Sequence, residues 1–278
     1  MAIEPGPGQP GPLEPGEWGV FDDVPNLRVW IPRGPQGVRL VVDPSPPDAR
    51  DHPEIQATWR QLCQENPKLF DGPIYRVTDA TLAETARDGP ALHVVVDGFH
   101  KVAVAQRLGA QTPGGATMLA SVIGALHADD ERGQPHLLLG KRSHETRVFG
   151  GLWEAAPAGG IDPTLRPGAR CLDADDLLEQ VRVELPEETG LPRDLAIASH
   201  RIVCVAHTPC AFSYDVVMVT RAERTIAQLR AMAGERNWEY DDLQWLSRDD
   251  AAAFDRDHAH DMIPQLRALL RVLGWIGS

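Results

Sequence analysis

Residues 184–191 read Glu184-Leu185-Pro186-Glu187-Glu188-Thr189-Gly190-Leu191, and upstream a glycine pair, Gly159-Gly160, follows Trp153-Glu154-Ala155-Ala156-Pro157-Ala158. Leu177, Leu178, Val181 and Leu185 recur at helical spacing, so the approach to this stretch is an amphipathic helix with one buried stripe. Asp173 suits the N-cap, and Gly190 suits the stop. On that helix positions 184, 187 and 188 fall within about 100° of arc. Three carboxylates so close repel one another. A helix that presents them has something cationic to hold. Clustered hard oxygen ligands suit Mg²⁺ or Mn²⁺, which also bridge phosphate oxygens.

Glycine pair, helix and Glu-x-x-Glu-Glu-x-Gly-apolar ending, in that order, resemble the Nudix box. That box is the signature of hydrolases that cut diphosphates linked to another moiety. Its pattern is G-x5-E-x7-R-E-U-x-E-E-x-G-U, with U apolar. Counting back from Glu184, Val183 stands where the family has arginine, with Arg182 one place early, and Asp175 stands for the first glutamate. The leading glycine would fall on Ala169, so the box reads as interrupted by a Pro- and Arg-containing insertion at 162–170. Pro186 removes a backbone donor within the helix and is expected to bend its last turn. The resemblance implies that Glu184, Glu187 and Glu188 hold Mg²⁺, with Mn²⁺ as a substitute, and that the carbonyl of Gly159 adds a ligand. It implies that Glu184 or Glu188 is the base that deprotonates water. Loss of the arginine puts the orientation of Glu184 in question, since in the family it supports that glutamate.

The 278 residues allow one large domain or two smaller ones, and 42% hydrophobic content supports a true core. A net charge of −13 argues against nucleic acid as a partner. A small anionic substrate still binds where a metal and a few Arg or Lys invert the local field. Cys63, Cys171, Cys204 and Cys210 form no Cys-x-x-Cys pair, so reduced thiols are expected. No secretory signal or bilayer-spanning run is visible, which leads to the expectation of a cytoplasmic protein.

Along the chain, residues 1–20 hold five prolines and five glycines and read as a disordered tail. Residues 21–115 read as a smaller α+β module, with strands at 38–43, 74–78 and 91–97 and helices at 52–65 and 100–108. Residues 116–278 read as the Nudix domain. It opens on an apolar run ending at Leu126, which turns through 128–133 into a strand at 136–140. Strands at 196–207, 212–220 and 238–246 and helices at 225–233 and 262–273 follow the box. The order matches the Nudix α/β/α sandwich with a mixed sheet. The segment Asp255-x-Asp257-His258-x-His260-Asp261 offers metal-type donors, but His at i and i+2 do not share a helix face. A polar loop capping the last helix is the simpler reading.

Pro53-x5-Trp59 and Asn66-Pro67-x-Leu69-Phe70-Asp71-Gly72-Pro73-x-x-Arg76 resemble the region before the Nudix domain in UDP-glucose/UDP-galactose diphosphatases of the animal and plant type. Those enzymes also carry an N-terminal module and an interrupted box without the arginine. Asp-Gly-Pro equally suits a β-turn after a helix. Lys141, Arg142 and Arg147 are candidate phosphate contacts, and Trp153, with Phe149, is placed to stack on a base; solvated and core roles stand beside these readings. Glu235, Glu239, Asp241 and Asp242 could supply a later-loop glutamate. The expected activity is Mg²⁺-dependent cleavage of a UDP-hexose to UMP and sugar 1-phosphate. The alternatives are ADP-ribose or another nucleotide derivative as substrate, or a non-catalytic nucleotide-sugar-binding module. No membrane partner is expected, and the apolar 266–275 stretch offers a surface for a homodimer.

Overall fold

The computed structural model describes residues 13–21, 23–24, 26–34, 37–44, 52–80, 82, 89–115 and 117–277. Residues 1–12 of the expected tail lie outside this set. Inside the rest of that tail, Trp18–Gly19 pairs with Val29 and Trp30.

A mixed sheet forms the frame. From one edge it runs Trp18–Gly19, Arg28–Trp30, Ile197–Thr208, Ser213–Ala222, Met118–Ile123, Pro73–Asp79, Ala91–Gly98, Arg39–Val42 and Cys171–Leu172. Val122 and Val216 face Leu177, Leu178 and Val181 of the box helix Ala174–Glu184. Their neighbours Ile123 and Val217 face the helices Ala251–His258 and Pro264–Val272, against Phe254, Leu266 and Leu269. Strand alternation thus builds the α/β/α sandwich, with apolar side chains on both faces of the central strands.

The apolar run that opens the domain divides at Gly124. Met118–Ile123 stays in the central sheet, while Leu126–Asp129 forms a hairpin with Pro135–Arg142. A side chain at Gly124 would overlap Val181, so glycine lets the box helix sit close where the strand breaks. Tyr240–Ser247 and Trp153–Ala155 flank Pro135–Arg142, and Ala158–Gly160 pairs with Ser121–Ile123.

The N-terminal residues extend the same sheet. Arg28–Trp30 pairs with 205–207, and Arg76 and Val77 pair with Leu119 and Met118. The box insertion follows from this. Neighbouring strands stand about 4.8 Å apart, so the chain must travel up to roughly 19 Å across three N-terminal strands after Gly160. It does so through a 3₁₀ turn, Pro163–Leu165, and then pairs Cys171–Leu172 with Val41 and Leu40 at the far edge.

Two local expectations change. Residues 255–258, expected in a polar loop, belong to the helix Ala251–His258, and Asp255 binds Arg267 at 2.7 Å rather than a metal. The last turn of the box helix does not merely bend at Pro186. It widens into a π-helix, Leu185–Thr189, ended by Gly190 at φ 71°. Proline has no N–H for the carbonyl four residues back, that of Arg182, and within the widened turn the Thr189 hydroxyl donates to the carbonyl of Leu185 at 2.6 Å.

Candidate active site

The box helix starts at a capping box. Asp173 accepts from the amides of Asp175 and Asp176, and Asp176 reaches back to the amide of Asp173. Eleven residues later the helix delivers Glu184 beside the glycine pair. A methyl group on Gly159 would overlap the Glu184 carboxylate, so only glycine permits this approach. Glu187 is exposed, and Glu188, on the π-turn, is 2% exposed.

Val183 leaves no arginine beside Glu184, yet the carboxylate is held. Gln180, one turn earlier and buried, donates from Nε2 to Glu184 Oε1 at 2.6 Å. Its Oε1 accepts from the amide of Asp162, the second residue after the glycine pair, at 2.9 Å. A neutral amide thereby ties the glutamate to the start of the insertion. Arg182 instead pairs outward with Glu179.

Glu188 accepts from the amide of Ala158 at 2.8 Å and lies 3.3 Å from the Tyr240 hydroxyl oxygen. The same hydroxyl donates to Glu154 at 2.8 Å, and Glu154 pairs with Arg142 at 2.5 Å. Glu239 closes the group; its backbone carbonyl accepts from the amide of Ser143, and the loop before it is tied to the π-turn through Asn237 and Glu187. Burial pushes the Glu188 carboxyl well up, reinforced by Glu184, Glu154 and Glu239. Burial likewise raises Glu184 to about 7 against the bond from Gln180, with Glu187 and Glu239 adding to the rise. Glu239 is raised chiefly by burial, partly offset by Arg142.

These carboxylates adjoin a cleft of about 280 Å³, lined by Gly159, Gly160, Glu154, Glu239, Arg142 and Arg147 on one side. The Arg147 guanidinium lies over the Phe99 ring, 5.1 Å from its centroid, and no carboxylate pairs with it among the described residues. Asp215, Ser213, Ser121 and Gln265 line the other side, with Phe99 and Gln106 arriving from the helix Phe99–Leu108.

The structure does not bring Lys141 or Trp153 to this cleft. Gly140 opposes Glu154 in the ladder and Lys141 opposes Trp153, so the two pairs occupy opposite faces. Trp153 is buried in the core, edge-on to Phe254 at 5.9 Å between centroids, with Lys141 beside its ring. Phe149 does line the cleft.

Do these residues suit a divalent cation? No set of three or more His, Cys, Asp or Glu among the described residues is already convergent on one point. The donor chemistry nonetheless fits. Glu184, Glu188 and Glu239 share one buried neighbourhood in which Arg142 is the nearby cation, and Glu154 already engages it. Buried like charges of this kind call for a counter-ion. The backbone of Gly159 is open to one because it carries no side chain.

The NUDIX domain model matches residues 118–269. The chain belongs to the NUDIX family. As a Nudix hydrolase it acts on a phosphoanhydride bond, in a family that uses divalent metals such as Mg²⁺ or Mn²⁺. Among solved structures, the MutT protein from Methanosarcina mazei Go1 is 21% identical, with a TM-score of 0.33, over 49% of this chain and 81% of that one. A NUDIX hydrolase from Alicyclobacillus acidocaldarius is 16% identical, with a TM-score of 0.41, over 55% and 90%. A bifunctional NMN adenylyltransferase/ADP ribose pyrophosphatase from Francisella tularensis, complexed with AMP and a Mn ion, is 15% identical, with a TM-score of 0.41, over 62% and 45%. No curated protein matches the sequence. None of the described helices is long and apolar enough to cross a membrane.

Proposed function

We propose that this Nudix hydrolase is Mg²⁺-dependent and cleaves a nucleoside diphosphate sugar, with a UDP-hexose as the preferred substrate and UMP and sugar 1-phosphate as products. The observation that carries this reading is a single cleft that joins the glutamate group and an unpaired guanidinium to a wall of carboxylate, hydroxyl and amide groups. The stretch that resembles UDP-sugar diphosphatases bears on that cleft. Asp71 accepts from the amide of His100 at 3.0 Å, and its second oxygen lies 2.8 Å from His100 Nδ1. It therefore fixes the start of the helix that supplies Phe99 and Gln106. The Asp-Gly-Pro residues run into the strand Pro73–Asp79.

Glu184, Glu187 and Glu188, with the carbonyl of Gly159, would hold the metal. When bound, it neutralises phosphate charge and lowers the pKa of an attacking water. Attack at one phosphorus would break its bond to the bridging oxygen, and the water's proton would pass to a carboxylate: Glu184 or Glu188 by the resemblance, or Glu239, which lines the cleft. Arg147 holds a phosphate oxygen, while Arg142, engaged by Glu154, orients the wall behind it.

The test is product release from UDP-glucose, UDP-galactose, GDP-mannose and ADP-ribose, each with and without Mg²⁺. Metal-dependent UMP from the UDP-sugars is the expected result. Turnover of ADP-ribose alone would replace the substrate and keep the chemistry, and metal-independent binding without product would favour a sensor.

A further inference from the structure

The wall opposite the glutamates has its own chemistry. Gly160, Ser121 and Asp215 stand in one register row across three strands, which puts Asp215 roughly 10 Å from the glycine pair. Asp215 accepts from the Ser121 hydroxyl, from the Ser213 hydroxyl at 2.9 Å and from Gln265 Nε2 at 2.9 Å. A carboxylate offers about four lone-pair positions, so one remains open.

The two glutamines add acceptors. Donation to the Asp215 carboxylate fixes the Gln265 amide, which leaves Oε1 as its acceptor, buried and without a partner among the described residues. Gln106 Nε2 donates to the carbonyl of Ala211 at 2.6 Å, and its Oε1 is likewise buried and without a partner among them. All three residues line the cleft. This wall therefore asks its ligand for O–H or N–H donors. A nucleobase would also ask for an open aromatic face; Arg147 already lies over the Phe99 ring beside this wall, which leaves Phe149 as the ring of the cleft open to a base.

We infer that Asp215, Gln265 and Gln106 form the subsite for the hydroxyl-bearing group carried by the diphosphate, and that Gln106 makes the N-terminal segment a determinant of which sugar is accepted. The inference rests on the nucleotide-sugar reading above. The distance agrees with it: about 10 Å between Asp215 and the glycine pair that would hold the metal leaves room for a phosphate and a ring.

The experiment measures binding of glucose 1-phosphate and of UMP separately, by calorimetry with Mg²⁺ present, to the wild type, Gln106→Leu and Asp215→Asn. Affinity for the sugar phosphate should fall by about tenfold or more in both variants, and affinity for UMP by less than about twofold. Loss of UMP affinity with the sugar phosphate unchanged would overturn the inference and put the base in this arm. No change in either ligand would overturn it too, leaving the cluster a purely structural one. Should Asp215→Asn fold poorly, Gln106→Leu, at the less buried end, decides alone. Wild-type turnover separates the two levels. Hydrolysis of UDP-sugars with unchanged binding in Gln106→Leu sinks the subsite only, whereas no hydrolysis of any nucleotide sugar sinks the functional reading and the subsite with it.

Discussion

Glu188, buried behind the glutamate side of the cleft, and Asp215, on its wall, are 2% and 6% exposed, and they are solvated by the protein in opposite ways. Glu188 has one amide as a donor, the Tyr240 hydroxyl being turned to Glu154, and three carboxylates as neighbours. Asp215 has two hydroxyls and an amide as donors, with Arg142 adding a favourable charge. Burial raises both carboxyls, but repulsion deepens the rise at Glu188, whereas hydrogen bonds resist it at Asp215. One buried acid is arranged to need a cation, and the other to be content with neutral donors. Both are acidic side chains out of water; the groups that touch and surround them make the difference.

The sharpest way to break this comparison is to neutralise each acid in turn. Glu188→Gln should cut kcat by about a thousandfold or more, because the charge that recruits the metal is gone. Its metal-free melting temperature should rise, since the unfolded chain ionises Glu188 freely and the folded chain resists doing so. Asp215→Asn should do the reverse to stability, lowering it by about 1–3 kcal/mol in urea melts, because an amide group replaces an acceptor facing three donors. Equal stability changes of one sign would erase the distinction.

Burial depresses His127, set against Trp275 with its Nε2 unpartnered, from 6.5 to about 4. The folded state therefore holds it neutral where the unfolded state takes a proton. The His127 contribution is complete above pH 6.5 and is lost as pH drops from 6.5 toward 4, by at most about 3 kcal/mol, against the opposite slope from Glu184 and Glu188. Repeating the urea melts across that window checks it, and His127→Phe should flatten the slope.

A smaller effect tests how the metal side is aimed. Gln180→Ala removes the bond to Glu184 without touching a charge. Mn²⁺ affinity and kcat should each fall by about tenfold, with the KM for substrate little changed at saturating metal. Unchanged Mn²⁺ binding would mean that Glu184 needs no such support.

The same contrast explains what could be read from the sequence. The meeting of Glu184 with Gly159 was legible because helical spacing and a Gly-Gly pair are local signals. The strand residues were not. Lys141 and Arg142 are neighbours, as are Trp153 and Glu154, and only one of each pair meets the cleft. Choosing between them takes the strand's facing, and a shift of one residue reverses it. Glu239 stood among four nearby acids, and Asp215 carries no motif, since its donors come from 121, 213 and 265. Gln180 lay four residues before Glu184, a spacing that marks contact on a helix, but at a position where the expected supporter is a cation further along. The domain's helices and strands emerged from periodicity, whereas the widened turn at Pro186 and the joining of both halves in one sheet depend on contacts distant in sequence.

That joining also sets a schedule for the polypeptide as it is made. Leu40 waits for Leu172, which emerges roughly 130 residues later, and until then Arg39–Val42 has an unpaired edge. The insertion within the box cannot be laid across the N-terminal strands before those strands are in place. Maturation of the active site is thereby coupled to an early segment that supplies no metal ligand, and this protein is expected to fold slowly for its size and to depend on that segment being made first.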